Sequence, residues 1–254
     1  MQTEHAGLTD RGLCRTHNED SWRALPECGL FLVCDGVGQR ARGEIASDTA
    51  ANAIADYIAD QHSDALAELR ARKIWREQDT HTLTSMVRNA IATASYFVHS
   101  MGQFEPGHRG MSTTASVVLL AGHHGVVGQV GDGRVYLSRS GDITQLTEDH
   151  TLAQGQLRAG YITPEEARTS GLRNMITRSV GRKSYVKVDV TPIRVQPGDQ
   201  LLLCSDGLHR YLDRPQQLLD LFAQPVGEAA NRAIAFANNR GGEDNITAVF
   251  VDFN

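Results

Sequence analysis

The order of segments in this chain predicts an α+β fold: a four-layer αββα sandwich, with two antiparallel sheets packed on each other and helix pairs on the outer faces. Three observations carry that expectation. Short runs rich in Val, Leu and Ile, bounded by Gly, Asp or Pro, recur along the chain. Helical periodicity is concentrated in two pairs of segments, one after the early strands and one just before the last strand. Strand and helix do not alternate regularly, which argues against a doubly wound parallel sheet.

Taken in order, strand character appears around 5–9 and over 29–34. Ala46, Ala50, Ile54, Tyr57 and Ile58 then recur three or four apart within 43–61, the spacing of an amphipathic helix. Leu83, Val87, Ala90, Ile91, Ala94, Phe97 and Val98 define a second. A block of strands follows at 114–120, 126–130, 135–138, 186–195 and 200–204. Within that block, 148–181 has few large apolar residues to anchor it. It carries a capping box, with Thr163 as N-cap, Pro164 at the first helical position and Glu166 three residues on, and it is expected to form a surface flap near the functional site. Helices over 215–222 and 227–237 precede the stop signal Gly241-Gly242 and a last strand at 246–251.

Composition narrows the function classes. With 254 residues, 41% of them hydrophobic, the chain can bury a large core. No repeat, low-complexity tract or linker marks a boundary, so one domain over 1–254 is expected, with the flap at about 148–181. No signal-peptide pattern or membrane-length apolar run is present, which predicts a cytoplasmic location. The net charge of -5 argues against nucleic acid and anionic membrane as partners. Cys14, Cys28, Cys34 and Cys204 show no C-x-x-C spacing and are expected to be reduced. The 10 histidines lack H-x-x-x-H or H-x-x-E-H spacing, and His123-His124 falls in an expected hairpin turn, so exposure explains them better than metal ligation.

The chemistry-bearing residues are acids. Two apolar runs end in Asp-Gly, at Asp35-Gly36 and Asp206-Gly207, and further acids stand at Glu19-Asp20, Asp132 and Glu243-Asp244, each beside an expected strand end. Asp-Gly alone is a favoured turn dipeptide, so solvated surface turns are one reading. The other is a gathering of carboxylates at one end of the scaffold, which repel unless hard divalent cations with oxygen ligands, such as Mg2+ or Mn2+, neutralise them. Spacing leaves both open.

The chain also resembles the PP2C-type (PPM) metal-dependent protein phosphatases, in particular their compact bacterial members. The likeness rests on blocks that follow the family order over nearly the whole chain: Arg15-Thr16-His17-Asn18-Glu19-Asp20, Asp35-Gly36-Val37-Gly38, Gly43-Glu44-Ile45-Ala46-Ser47, Gly110-Met111-Ser112-Thr113-Thr114, Val130-Gly131-Asp132-Gly133-Arg134, Leu146-Thr147-Glu148-Asp149-His150, Ile176-Thr177-Arg178, Ser205-Asp206-Gly207 and Asp244-Asn245. The resemblance implies hydrolysis of phosphoserine and phosphothreonine in proteins by water activated between two Mn2+ or Mg2+ ions. Asp35 would bridge the two, Asp206 and Asp244 would complete the first site, and the Gly36 carbonyl would face the second. Glu19 would act through metal-bound water, and Asp20 would orient such water. Asp132, with Asp206 and with Asn174 from the flap, would hold a third, weaker ion. Arg15 would grip the phosphate, a role that suits a planar fork of donors.

The partners implied are phosphorylated proteins and an opposing Ser/Thr kinase, with the enzyme a monomer. Two departures stand out. Val37 occupies the place of the histidine that serves eukaryotic members as general acid, which leaves a metal-bound water as the candidate donor. Gln39 replaces a usual second glycine and is followed by Arg40 and Arg42. His17 and His150 lie inside the matching blocks and are expected near the site without ligating metal. Arg168, Arg173, Arg178, Arg182 and Lys183 give the flap region a positive bias, read first as a solvated charged surface and second as an attraction for phosphorylated segments.

Overall fold

A computed structural model describes residues 2–37 and 42–254. In chain order its elements are β1 (Thr3–Asp10), β2 (Asp20–Leu25), β3 (Leu30–Val37), α1 (Gly43–Ala71), α2 (Glu77–Phe104), β4 (Ser112–Thr113), β5 (Ala115–Ala121), β6 (His124–Val130), β7 (Arg134–Arg139), β8 (Asp142–Gln145), α3 (Leu152–Arg158), α4 (Pro164–Thr169), β9 (Asp189–Arg194), β10 (Gln200–Cys204), α5 (Asp206–His209), α6 (Pro215–Phe222), α7 (Val226–Asn238) and β11 (Ile246–Phe253). They build two antiparallel sheets, one ordered β1-β11-β10-β7-β8 and the other β2-β3-β5-β6-β9, with β4 paired to β3.

The central strands read as unbroken apolar runs because both of their faces are buried. On β3, Phe31 and Val33 face the second sheet, while Leu30, Leu32 and Cys34 face α1 and α2. Val118 and Leu120 divide from Val117 and Leu119 on β5 in the same way. In the other sheet, Leu201, Leu203, Val249 and Val251 point between the sheets, and Leu202, Ala248 and Phe250 point toward α6 and α7. Three apolar layers therefore separate four structural layers, as expected. Each Leu, Ile or Val withdrawn from water in them contributes about 1.5–3 kcal/mol.

Several elements differ from the sequence reading. The first helix runs on to Ala71, held by Leu66 and Leu69 beyond a polar stretch that hides the periodicity. The strand expected over 186–195 contracts to Asp189–Arg194, and Val186 and Val188 pack on the helix-side core instead. β4 is short and polar, and β8 is largely solvent-facing, so neither has an apolar pattern to find. Neither Asp-Gly pair is a turn. Asp35 and Gly36 lie inside β3, where Gly36 pairs with Thr113, and Asp206 and Gly207 open α5.

In segment 148–181 the Thr163 capping box forms as expected: Thr163 Oγ1 accepts from the Glu166 amide at 3.2 Å, and Glu166 Oε2 accepts from the Thr163 amide at 2.7 Å. The four cysteines are free, with Cys14 exposed and Cys28, Cys34 and Cys204 buried. Among the described residues, no helix is long and apolar enough to cross a membrane.

Candidate metal centre

Antiparallel register gathers the acids. Asp20 opens β2 directly opposite Asp35 near the end of β3. At the same pole, Val130 ends β6 opposite Ala115, and 131–133 carries the chain from β6 in one sheet to β7 in the other, with Asp132 at its middle. Cys204, the last residue of β10, pairs with both Arg134 and Ala248, which brings Asp206 and Asp244 to that pole as well. The strand ends thus converge, and the surface-turn reading does not hold for these residues: Asp20 and Asp132 are buried.

Each acid is held by its backbone surroundings. The Asp35 amide donates to Thr114 Oγ1 at 2.9 Å, and its carbonyl accepts from the Thr114 amide and from Thr113 Oγ1, both at 2.8 Å. The Gly36 amide donates to the Glu19 carbonyl at 3.0 Å, and a Cβ on Gly36 would meet that oxygen and the Gly43 carbonyl, so only glycine lets β3 pass α1 this closely. Gly207 is pressed likewise against the Asn245 carbonyl. Asn245 ties the loop that crosses from β1 to β2: its Nδ2 donates to the Arg11 and His17 carbonyls, both at 2.9 Å, and its Oδ1 accepts from the Glu19 amide at 2.8 Å. On the other side, the Gly131 amide donates to His150 Nδ1 at 3.1 Å, so the proton of the neutral ring lies on Nε2, facing Asp189 at 3.0 Å. His150 thereby positions the turn bearing Asp132, while His17 is exposed.

The electrostatics are those of crowded, desolvated acids. Burial, followed by the charges of Asp20, Asp206, Asp132 and Asp244, holds Asp35 well above the ordinary carboxylate range. Burial also lifts Asp20 to about 7, against the hydrogen bond that Thr247 Oγ1 donates to its Oδ2 at 2.6 Å. Asp132 is raised to about 8, first by burial and then by Asp206. Glu19 is raised by burial and by neighbouring Glu44. Asp20 Oδ1 is buried with no hydrogen-bond partner.

An oxygen-only donor set under mutual repulsion, with one orphaned buried carboxylate oxygen, fits hard divalent cations. Among the described residues, no three His, Cys, Asp or Glu side chains converge tightly enough to enclose an ion by themselves. A cation here would draw part of its shell from water and backbone oxygen, as Mg2+ commonly does.

Among the described residues, two arginines face the cluster. Arg15, half exposed, donates through Nη2 to Asp244 Oδ2 at 2.8 Å. Arg210, which the sequence reading missed, donates through Nη2 to Asp206 Oδ2 at 2.6 Å and to Asp244 Oδ2 at 3.2 Å. Its only signal in the sequence is its place four residues after Asp206, on the same helical face. Beside them a cavity of about 220 Å3 opens between the pole and segment 148–181, lined by Asp132, Asp206 and Arg210 on one side and by Arg168, Arg173 and Asn174 on the other. Asn174 is thus brought to the same cavity as Asp132, and the expected flap does adjoin the site. His209 sits beneath, its Nε2–H donating to the Asp132 carbonyl at 2.8 Å, and burial lowers its pKa to about 4. Gly38, Gln39 and Arg40 lie outside the described residues.

Fold and site together define an α+β sandwich enzyme with an acidic, oxygen-lined pole. Residues 14–235 match the family described as Protein phosphatase 2C. Protein phosphatase PhpP of Streptococcus pneumoniae is 33% identical over 252 residues, covering 97% of this chain and 96% of that protein. The crystal structure of the Mycobacterium tuberculosis serine/threonine phosphatase PstP/Ppp superposes with a TM-score of 0.84 at 33% identity, over 99% of both chains. A structure of the PstP catalytic domain in complex with 2 manganese ions gives a TM-score of 0.82 at 33% identity, over 98% of this chain and 97% of that one. The chain belongs to the protein phosphatase 2C family.

Proposed function

We propose that this chain is a metal-dependent phosphatase that hydrolyses phosphoserine and phosphothreonine in proteins, carried on one domain spanning 1–254 with a flap at about 148–181. The observation that supports the reading most strongly is the convergence of Asp35, Asp206 and Asp244, with Glu19, Asp20 and Asp132, at one pole of the sandwich. In this reading Asp35, Asp206, Asp244 and the Gly36 carbonyl would hold two Mn2+ or Mg2+ ions, with Asp35 shared between them. Asp132, with Asp206 and Asn174, lines the cavity and would hold a third, weaker ion. When bound, the ions supply a water nucleophile of lowered pKa and offset the charge on the phosphoryl group.

The remaining work falls to the protein. Asp20, fixed at one oxygen by Thr247 and free at the other, orients water. Glu19 does the same from beside Gly43, its amide held by Asn245. Arg15, half exposed and tethered at one nitrogen to Asp244, grips the phosphate through its planar fork. Val37, at the end of β3, has no titratable group, so this side chain cannot protonate the departing serine or threonine oxygen, and water held at the metal centre would be the donor. Arg168 and Arg173 on the flap side of the cavity favour acidic, phosphorylated segments.

The reading extends to a cytoplasmic, monomeric enzyme that opposes a Ser/Thr kinase. Its test is release of phosphate from a phosphothreonine peptide with Mn2+, with chelator, and with an Asp206→Asn variant. Turnover is expected only in the first, and turnover that survives chelation would overturn the reading.

A further inference from the structure

Arg210 follows the short helix α5, and its guanidinium, 13% exposed, is turned back onto the acids. A single nitrogen, Nη2, reaches Asp206 Oδ2 at 2.6 Å and Asp244 Oδ2 at 3.2 Å. Nη1 lies 3.7 Å from Glu243 Oε2. Nε is buried with no hydrogen-bond partner, so this placement leaves one donor unused in order to bring the charge to the two aspartates. The carboxylates that this nitrogen spans are the pair assigned to one divalent cation. A guanidinium and a divalent ion cannot both sit within contact distance of the same oxygens without strong repulsion, since like charges a few ångströms apart in a partly buried site are poorly screened. Arg15 holds the same Asp244 oxygen from the open side at 2.8 Å, so Asp244 already carries two cationic contacts, one of them buried.

We propose that Arg210 is a built-in competitor for the Asp206–Asp244 cation site: it neutralises these aspartates when no divalent ion is bound, and it raises the metal concentration at which the site fills. The inference rests on the metal-centre reading above. Filling requires the guanidinium to give up its contacts with both carboxylates, and the cavity that Arg210 lines, with Asp213 on its wall, offers the space and a carboxylate to receive it.

Calorimetric titration of chelator-treated, desalted full-length protein with Mn2+ tests the proposal. Arg210→Gln is expected to bind Mn2+ about tenfold more tightly than wild type. It is also expected to melt at a lower temperature than wild type in chelator, and to recover that difference in saturating Mn2+. Equal or weaker Mn2+ binding by Arg210→Gln would overturn the inference while leaving the metal-centre reading intact. Wild type that takes up no Mn2+ at all would overturn both.

A measurement on wild type decides the question if the variant does not fold. In protein labelled with 15N-arginine, saturating Mg2+ is expected to shift the Arg210 Nε–H resonance, whose surroundings change when the guanidinium moves. A resonance that stays in place while other signals at the site report Mg2+ binding would overturn the proposal.

Discussion

Asp20 and Asp35 stand directly opposite each other across the β2–β3 ladder, both facing inward between the sheets. Like charges in that register oppose strand pairing. The hairpin is stable because its other cross-strand positions are apolar or partly so, among them Trp22 against Val33 and Ala24 against Phe31. The site is thus a local electrostatic cost carried by an otherwise well-packed sheet.

That cost has a pH signature. Asp20 and Asp132 have folded-state pKa values raised to about 7 and about 8, so their protonated forms favour the folded state, and the contribution is lost as pH rises through those values. His209 works in the opposite direction at lower pH: with its folded pKa lowered to about 4, stability is lost as pH falls from about 6.5. In chelator, the melting temperature is therefore expected to fall between pH 6.5 and 8.5. Saturating Mn2+ should flatten that slope, as thermal melts across the range would show.

Removing one charge should relieve the repulsion. In chelator at pH 8, Asp20→Asn is expected to raise the melting temperature by roughly 3 °C, the equivalent of about 1 kcal/mol for a chain of this size, while turnover in Mn2+ drops. A variant that melts lower than wild type in chelator would show that the Thr247 hydrogen bond outweighs the repulsion.

How much of this was legible in the residues themselves varies by element. The layers follow from apolar runs too continuous for half-buried strands, and 215–222 was bounded as found because Pro215 sets its first turn. The C-terminal end of α1 was hidden by polar turns, and β4 by its two hydroxyl residues. Asp35 and Asp206 were visible as acids after apolar runs, but their convergence is a property of register across two sheets, which no local pattern carries. Arg210 and Thr247 went unnoticed because each touches acids distant in sequence: Arg210 meets Asp244, 34 positions away, and Thr247 meets Asp20, 227 positions away.

Arg15 and the metals should be separable. Arg15→Ala is expected to lower kcat/KM for a phosphothreonine peptide by roughly 10- to 100-fold, in line with losing a charge-assisted pair of hydrogen bonds. Mn2+ affinity by calorimetry should not fall, and any gain should be smaller than for Arg210→Gln, because the half-exposed Arg15 charge is better screened. A large loss of metal binding would move Arg15 from the phosphate to the support of Asp244.

Asn245 is the structural counterpart. Truncation in Asn245→Ala leaves the Arg11 and His17 carbonyls and the Glu19 amide without their partner. A loss of about 2–4 kcal/mol in denaturant unfolding is expected, less than three times the roughly 1–3 kcal/mol of a fully buried unpaired group, because Arg11 and His17 are exposed and water can reach their carbonyls. A change within about 0.5 kcal/mol would mean that water replaces the side chain.

In the proposed reading Asp35 would hold both cations at the pole of the sandwich. The most direct test is the number of Mn2+ ions bound per chain at equilibrium in wild type and in Asp35→Asn. Two tightly bound ions in wild type and neither retained tightly in the variant is the predicted result; a folded Asp35→Asn that keeps both would contradict it.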